Sequence, residues 1–222
     1  MSELGFDAAA FAAEVSAETS KIYERTFKRF CDIALVILTA PISLPLVALL
    51  LMIVRCSGPA LFGHTRIGQN GKLFQCWKIR TMVPDAEDNL ALLLTTNPIA
   101  AYEWTRDRKL QKDPRITPFG NLLRRTSLDE LPQLWNVLIG EMSLVGPRPV
   151  TQSELENYST NKWAYLRCLP GITGLWQVSG RNSVSYDERV AFDVSYSRRL
   201  SFLTDLSILL RTGSAVLRRT GL

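Results

Sequence analysis

The segment from Arg124 to Glu130, with the sequence RRTSLDE, carries the side chains best suited to chemistry on a phosphate. Ser127 and Glu130 have the spacing of a capping box, so a helix is predicted to begin here and to continue to about Ile139. Asp129 would occupy its second position, where backbone N–H groups and the helix dipole favour a charged carboxylate. Such a carboxylate can attack phosphorus while the neighbouring arginines hold the phosphate. The structural alternative is a helix cap without chemistry.

Three further side chains are candidates for the same site. Arg148 lies between Pro147 and Pro149 in a stiff loop, which suits phosphate binding but could also be a rigid connector. Arg181 follows in a glycine-containing turn beside polar amides, and an ordinary turn is the alternative. Asp193 is expected on a helix among apolar neighbours, where a carboxylate needs a partner or a cation. A buried pair with an arginine would meet that need without any function.

The elements that must position these residues begin with an uncharged run of 22 residues, 33–54, with the sequence IALVILTAPISLPLVALLLMIV. As a straight helix it would extend roughly 33 Å, which matches a hydrocarbon core of about 30 Å. Pro41 and Pro45 interrupt its backbone bonding, and basic residues flank both ends. A helix that enters the membrane, bends at Pro45 and returns, with Ser43 bonding freed carbonyls, satisfies both features. A proline-kinked single span and a buried helix of a soluble protein remain alternatives.

The rest of the chain is predicted to be mainly helical with little β-structure. Residues 61–82 should form an antiparallel hairpin around Asn70 and Gly71, because both residues tolerate the positive φ of a two-residue turn. Leu175–Val178 is expected to be a short strand. The C-terminal residues 202–219 form an amphipathic helix that could dock on the core or lie in a membrane interface.

Composition narrows the function classes. The formal net charge is +5, and residues 21–80 carry nine bases and two acids around the apolar run, which favours anionic lipid over nucleic acid as partner. The four cysteines form no CxxC pair, and His64 is the only histidine. Disulfide frameworks, zinc sites and most histidine-based nucleophiles are therefore not expected.

Four motifs in order resemble the bacterial sugar transferases, which are monotopic phosphoglycosyl transferases acting on polyprenyl phosphate. They are KRFCD before the apolar run, RIGQNGKLFQCWKIRTM, LRRTSLDELPQLWNVLIGEMSLVGPRP and PGITGLWQVSGRN. The likeness covers roughly residues 21–222. The stretches FGHTRIGQNG and NPIAAYEWTRDRKLQKDPRIT resemble in particular the galactosyl-phosphate transferases that begin exopolysaccharide synthesis with undecaprenyl phosphate.

The resemblance implies a covalent mechanism. Asp129 would attack the sugar-bearing phosphate of a UDP-sugar, release UMP and pass the phosphosugar to undecaprenyl phosphate, with Glu130 positioning or deprotonating a reactant. Mg²⁺ near Asp129 would neutralise the diphosphate. Arg124, Arg148, Arg181 and Asp193 match family positions around the phosphates and the nucleotide.

The resemblance also favours re-entry over a single span, although Leu44-Pro45 stands where the family often has Ser-Pro. The expected fold is α+β and mainly helical, with a re-entrant, proline-broken membrane helix, a small antiparallel β-hairpin and amphipathic interfacial helices. Its expected parts are an N-terminal extension (1–20), the membrane-embedded helix (21–57) and a catalytic domain (58–222) on the cytosolic face of the bacterial inner membrane.

The expected partners are a UDP-sugar, undecaprenyl phosphate and membrane phospholipids, but not nucleic acid. The transferred hexose and any homo-oligomer are left open. A membrane-anchored scaffold without activity is the competing hypothesis. It explains the apolar run and its basic flanks but not the ordered set of arginines and carboxylates.

Overall fold

The computed structural model describes residues 23–107, 110, 112–180 and 184–217. After a π-helical turn at Tyr23–Phe27, the long apolar helix and a hairpin come first: α1 Lys28–Arg55, β1 Leu61–Ile67 and β2 Leu73–Ile79. The middle of the chain contains α2 Ala86–Thr96, α3 Pro98–Asp107, α4 Pro118–Thr126, α5 Gln133–Ile139 and β3 Ser143–Val145. The remainder comprises α6 Gln152–Glu156, α7 Lys162–Arg167, β4 Gly171–Thr173, α8 Leu175–Ser179, α9 Tyr186–Arg198 and α10 Phe202–Leu217. The predicted mainly helical fold with a small antiparallel sheet is confirmed.

Helix α1 is long and apolar enough to cross a membrane, the one such helix in the described part of the chain. The prolines do not interrupt this helix in the way that the proline-broken description predicted, since α1 continues through Pro41 and Pro45. The bend at Pro45 stays a prediction. A proline removes one N–H, and the remaining bonds of the flanking turns can carry a helix past it. The Thr39 hydroxyl also donates to the carbonyls of Leu35, at 2.9 Å, and Val36, at 3.2 Å, just before Pro41. Ser43, the residue expected to bond freed carbonyls, is buried within an otherwise exposed stretch.

Both ends of α1 pack on the rest of the protein. Val36 joins the apolar cluster that contains Phe74 and Val137, and Leu50 joins the cluster that contains Ile79. Between these ends, Ile42 is 77% exposed, like most of its apolar neighbours. An apolar segment exposed in the middle of a helix that is anchored at both ends is a surface suited to lipid.

The start of α1 is held by a buried polar group that we call the root cluster: Tyr23, Lys28, Tyr196 and Asp205. The Lys28 ammonium donates to Asp205 Oδ2 at 2.5 Å and to the Val145 carbonyl at 2.9 Å. The hydroxyls of Tyr23 and Tyr196 also donate to the Asp205 carboxylate, each at 2.8 Å. These bonds fix α1 to α10 and to the end of β3.

The hairpin pairs β1 with β2 in an antiparallel register from Leu61↔Ile79 to Ile67↔Leu73. Its turn is wider than the two-residue turn predicted, because the amide of Gly68 donates to the carbonyl of Lys72 and leaves three residues between them. Asn70 and Gly71 nevertheless adopt positive φ, of 57° and 79°. The prediction that Asn70 and Gly71 tolerate positive φ is confirmed, whereas the predicted loop length of two residues is wrong.

Strands β3 and β4 form a parallel pair. Their backbones touch: a Cβ added at Gly171 would lie 2.1 Å from the amide nitrogen of Gly146. Only glycine permits this approach, which holds the start of the loop that carries Arg148. The predicted strand at Leu175–Val178 is wrong, since these residues lie in α8 and the strand ends at Thr173. A segment of four residues is too short to distinguish the two-residue period of a strand from the 3.6-residue period of a helix.

The C-terminal helix α10 both docks and exposes apolar surface. Ile208 is buried in the core, whereas Leu203 is 74% and Leu210 68% exposed. Docking on the core, one of the two outcomes expected, occurs through the face of Asp205 and Ile208 rather than through the expected apolar stripe, of which Phe202, Leu206 and Leu210 are exposed. The exposed residues leave a second apolar face suited to a membrane interface.

Candidate functional site

A tight turn between α4 and α5 carries the two acidic residues. Ser127 does not cap a helix, as its spacing predicted: it has φ 57° and ψ 19°, ends α4, and makes no side-chain capping bond. Leu128–Glu130 form a 3₁₀ turn, and α5 begins only at Gln133 after Pro132. Pro132 lacks the N–H that a continuous helix would use there. The turn thus places adjacent carboxylates in different surroundings.

The Glu130 carboxylate is held by two cations. Its Oε1 accepts a hydrogen bond from Lys78 Nζ at 2.6 Å and from Arg148 Nη2 at 3.0 Å. Burial alone would raise the pKa of Glu130, but Arg148 and Lys78 outweigh it and lower the pKa to about 2. Glu130 is therefore ionised at neutral pH and ties the hairpin to the Arg148 loop.

The Asp129 carboxylate lies beside this ionic group but outside its pairs. The residue is 8% exposed, and burial raises its pKa, a rise that Glu130 reinforces and that Lys78 and Arg124 oppose. Among the described residues, both salt bridges of this group go to Glu130 and none goes to Asp129. Asp129 thus combines a desolvated carboxylate with nearby positive charge, an arrangement that suits a nucleophile.

Arg124 approaches the same turn from α4. Its Nε donates to the Thr81 hydroxyl at 2.8 Å, and its charge acts on the Asp129 carboxyl. Gly120, one turn earlier, packs so closely on the Thr81 carbonyl that an added Cβ would lie 2.0 Å from it. The segment after β2 therefore fixes the direction of Arg124.

The loop that carries Arg148 is held from both sides. The amide of Ile67, at the end of β1, donates to the Val150 carbonyl at 3.0 Å, and the Val150 amide donates to the Tyr165 hydroxyl at 3.1 Å. Buried Asn136 in α5 binds the backbone of β2 at Gln75 and Trp77. Lys78 and Arg148 are consequently presented by braced segments.

Lys78, Glu130 and Arg148 line a cleft of about 220 Å³, and Asp129 is the chain neighbour of Glu130. Its charged lining consists of Arg66, Lys78, Arg148 and Arg189 against Glu130 and Glu154, a formal balance of 4 − 2 = +2. Its aromatic lining consists of Tyr158, Trp176 and Tyr186. A cleft with excess positive charge and aromatic walls matches a small anion that carries a flat ring.

Asp193 is not brought to the surface of this cleft. The residue is 1% exposed, and its Oδ2 accepts a hydrogen bond from the Tyr158 hydroxyl at 2.6 Å. Burial raises the pKa of Asp193 to about 7, against the lowering effect of that hydrogen bond. The expected buried partner is thus a tyrosine rather than an arginine. Arg181, the remaining predicted phosphate ligand, lies outside the described residues.

A divalent cation would find few protein ligands at this site. In the described ranges no three His, Cys, Asp or Glu side chains converge on one point. Mg²⁺ commonly uses one or two carboxylates together with substrate phosphates and water. The Asp129 carboxylate, which has no ion pair among the described residues, fits that donor set, with the remaining ligands supplied by a bound diphosphate and water.

Sequence reasoning did not single out Lys78, Thr81, Tyr158, Trp176 or Arg189 as site residues. A signal existed for Lys78, because strand alternation places it on the same face of β2 as the buried Phe74 and Cys76. No comparable pattern identified Tyr158 or Arg189. Their place in the cleft depends on how the segment after α6, which contains Tyr158, packs on α9.

Comparison with known proteins agrees with the geometry. The sequence model of the family described as bacterial sugar transferase matches residues 23–219. An undecaprenyl-phosphate galactose phosphotransferase of Salmonella typhimurium is 48% identical over 207 residues, 93% of this chain and 43% of the relative. A UDP-galactose-lipid carrier transferase of Erwinia amylovora is 47% identical over the same shares. The exopolysaccharide production protein ExoY of Rhizobium meliloti is 51% identical over 174 residues, 78% of this chain and 77% of the relative. The chain thus spans less than half the length of the first two relatives.

Proposed function

The chain belongs to the bacterial sugar transferase family, and we propose that it transfers a hexose 1-phosphate from a UDP-sugar to undecaprenyl phosphate and releases UMP. One observation carries the proposal: Asp129, a buried carboxylate with no ion pair among the described residues, is the chain neighbour of Glu130, which lines a positively charged cleft. The relatives that are named for galactose support galactose 1-phosphate as the group transferred. Exopolysaccharide production in the ExoY relative supports a role at the start of that synthesis.

The proposed reaction has two displacements at one phosphorus. An oxygen of Asp129 bonds to the phosphorus that carries the sugar, the bond from that phosphorus to UMP breaks, and the phosphosugar stays on Asp129. An oxygen of undecaprenyl phosphate then bonds to the same phosphorus, and the bond to Asp129 breaks. The electron pair returns to the carboxylate, so no other reactant is consumed.

The neighbouring residues support these displacements by holding charge in place. Arg148 and Arg124 would bind phosphate oxygens, because a guanidinium offers paired donors in a fixed plane. Glu130 would hold Lys78 and Arg148 in position, since its low pKa makes it a poor base at neutral pH. Mg²⁺ held by Asp129 and the substrate would neutralise diphosphate charge. Arg181 keeps its expected role, whereas Asp193, which is 1% exposed, would act on the nucleotide only through a neighbouring side chain.

We further propose that α1 re-enters the bacterial inner membrane and leaves the catalytic domain on the cytoplasmic face. Packing of both ends of α1 on the protein, basic residues on both flanks and the exposed apolar middle support this topology. In a background without native cysteines, Thr26→Cys and Lys72→Cys should both resist an impermeant thiol reagent applied from the periplasm. Labelling of either site from that side would contradict re-entry.

The direct assay of the function uses purified protein, undecaprenyl phosphate and a panel of UDP-sugars. The expected result is a lipid-linked sugar diphosphate together with an equal amount of UMP, with UDP-galactose as the best donor. A scaffold would give no product with any donor. Removal of divalent cations by a chelator should abolish turnover, and full activity in excess chelator would contradict the Mg²⁺ proposal.

A further inference from the structure

The cleft contains a stacked pair to which the chemistry above assigns no task. The guanidinium carbon of Arg189, in α9, lies 4.7 Å from the ring centroid of Trp176, in α8, and both residues line the cleft. Tyr158 and Tyr186 pack edge to face nearby, with ring centroids 6.1 Å apart. The cleft therefore has an aromatic part besides the ionic part formed by the Glu130 pairs.

In the part of the chain that the structure describes, one buried polar atom of this pair and one on a neighbouring residue of α9 lack hydrogen-bond partners. Within the described ranges, neither Arg189 Nε nor Asp193 Oδ1 has a hydrogen-bond partner. Arg189 and Asp193 are four residues apart on α9, which places their side chains on one face of the helix and within reach of each other. Buried polar atoms are rarely left unpaired, so an unpaired donor and acceptor on one face indicate a second arrangement.

We propose that Trp176 is the stacking platform for the uracil base of the nucleotide, and that Arg189 moves from Trp176 to the Asp193 carboxylate when the base binds. The proposal rests on the proposed function, which supplies a uridine nucleotide as ligand. Arg189 covers the Trp176 ring in the present arrangement, so a base can stack there only after the guanidinium leaves. The Asp193 carboxylate is the acceptor that this movement would satisfy.

The chemistry of the ligand matches the division of the cleft. A UDP-sugar has an anionic diphosphate and a flat, uncharged base, and the cleft is lined by cations beside Glu130 and by aromatic side chains beside Tyr158. An aromatic ring stacks on any base, while the positive charge of Arg189 is kept in the site by Asp193. Asp193 would then be a positioning residue that acts on the nucleotide through Arg189.

The first test measures the dissociation constant of UMP by calorimetry with the full chain in detergent. Trp176→Leu should weaken UMP binding at least about tenfold, whereas Trp176→Phe, which keeps an aromatic face, should stay within about threefold of wild type. Arg198→Met is the control variant. Arg198 lies on α9, as Arg189 does, and its guanidinium carbon is 5.7 Å from the ring centroid of Trp163, but Arg198 does not line the cleft. That control should bind UMP as the wild type does.

The second test keeps the proposal falsifiable if Trp176→Leu fails to fold. Stacking should quench the fluorescence of Trp176, so UMP should reduce the emission of the wild-type protein but not that of Trp176→Phe at matched saturation. Asp193→Asn should weaken UMP binding about three- to tenfold, because its amide lacks the charge that receives Arg189.

The outcomes separate the two proposals. If wild-type protein binds no UMP and turns over no UDP-sugar, the proposed function fails. If wild-type protein binds UMP but folded Trp176→Leu binds it equally well, or if UMP quenches Trp176→Phe as it does the wild type, the stacking platform is wrong and the proposed function stands.

Discussion

Two groups of buried charge in this protein are built from similar parts and differ in what they leave open. In the root cluster, Asp205 accepts hydrogen bonds from Lys28, Tyr23 and Tyr196. Both of its carboxylate oxygens have donors, and the residue is 4% exposed. Such a group fixes one arrangement of helices and has no capacity left for a ligand.

The second group consists of Asp129, Glu130, Lys78 and Arg148. Only one of its two carboxylates has ion pairs among the described residues. Glu130 takes both Lys78 and Arg148, while Asp129, the adjacent residue, receives no ion pair from the described residues. The pKa of Glu130 is low and that of Asp129 is raised. Buried charge by itself therefore does not indicate a reactive site. A carboxylate that has no ion pair among the described residues, adjacent in the chain to a residue that lines a positively charged cleft, does indicate one.

The largest expected effect is the loss of turnover when Asp129 is replaced. Asp129→Asn should reduce turnover at least about 10⁴-fold, because the amide is close in shape but is a far poorer nucleophile toward phosphorus. The midpoint of thermal unfolding should change little, since the carboxylate lacks an ion pair among the described residues. Turnover close to that of the wild type in a folded Asp129→Asn protein would mean that Asp129, like the residues of the root cluster, has no role in the reaction.

The opposite pattern is expected in the root cluster. Asp205→Ala should lower the free energy of unfolding by about 3–5 kcal/mol, because it leaves the Lys28 ammonium buried without its partner. Unfolding in urea, followed in detergent, measures this loss. The fraction that remains folded should turn over at the wild-type rate. A stable Asp205→Ala protein with low turnover would mean that the root cluster takes part in the reaction.

The pH dependence of stability provides a third comparison. In the folded protein the pKa of Glu130 is about 2, below its ordinary value of 4.5. The ionised carboxylate therefore stabilises the fold fully at pH values above 4.5, and this stabilisation is lost as the pH falls toward 2. Glu130→Gln should therefore be less stable than wild type at pH 7, by roughly 3 kcal/mol. The difference should shrink steadily below about pH 4.5. A difference that does not depend on pH would assign the loss to shape rather than charge.

The smallest effect concerns the geometry of one cation. Arg148→Lys keeps the charge but loses the planar pair of donors, and turnover should fall at least about tenfold, equivalent to roughly 1.4 kcal/mol of barrier. Arg125→Lys, at an exposed position in α4, is the matched control and should match the wild type. Equal rates in Arg148→Lys and the control would reduce the Arg148 loop to a connector.

Local pattern predicted much of the fold. The apolar length of α1 is confirmed, because this signal depends on residues close in sequence. The turn at Ser127 was misread, because a left-handed residue and Pro132 divide what looked like one helix. A spacing rule for capping boxes carries no information about backbone conformation at the cap itself.

The site was predictable only where one segment contained it. Asp129, Glu130 and Arg124 lie within seven residues, and Arg148 lies in a loop marked by prolines. Lys78 reaches Glu130 from a strand 52 positions earlier in the chain. Tyr158 reaches Asp193 across 35 positions. Such contacts are set by packing between elements, which no pattern along the sequence contains.

Covalent capture tests the central claim most directly. Purified protein is mixed with UDP-galactose labelled in its β-phosphate, without lipid acceptor, and protein-bound label and released UMP are counted. Wild-type protein should hold the label on Asp129, release an equal amount of UMP, and pass the label to undecaprenyl phosphate when that lipid is added. Asp129→Asn should hold none. Equal labelling of the two proteins, or full turnover without any protein-bound label, would contradict a covalent role for Asp129.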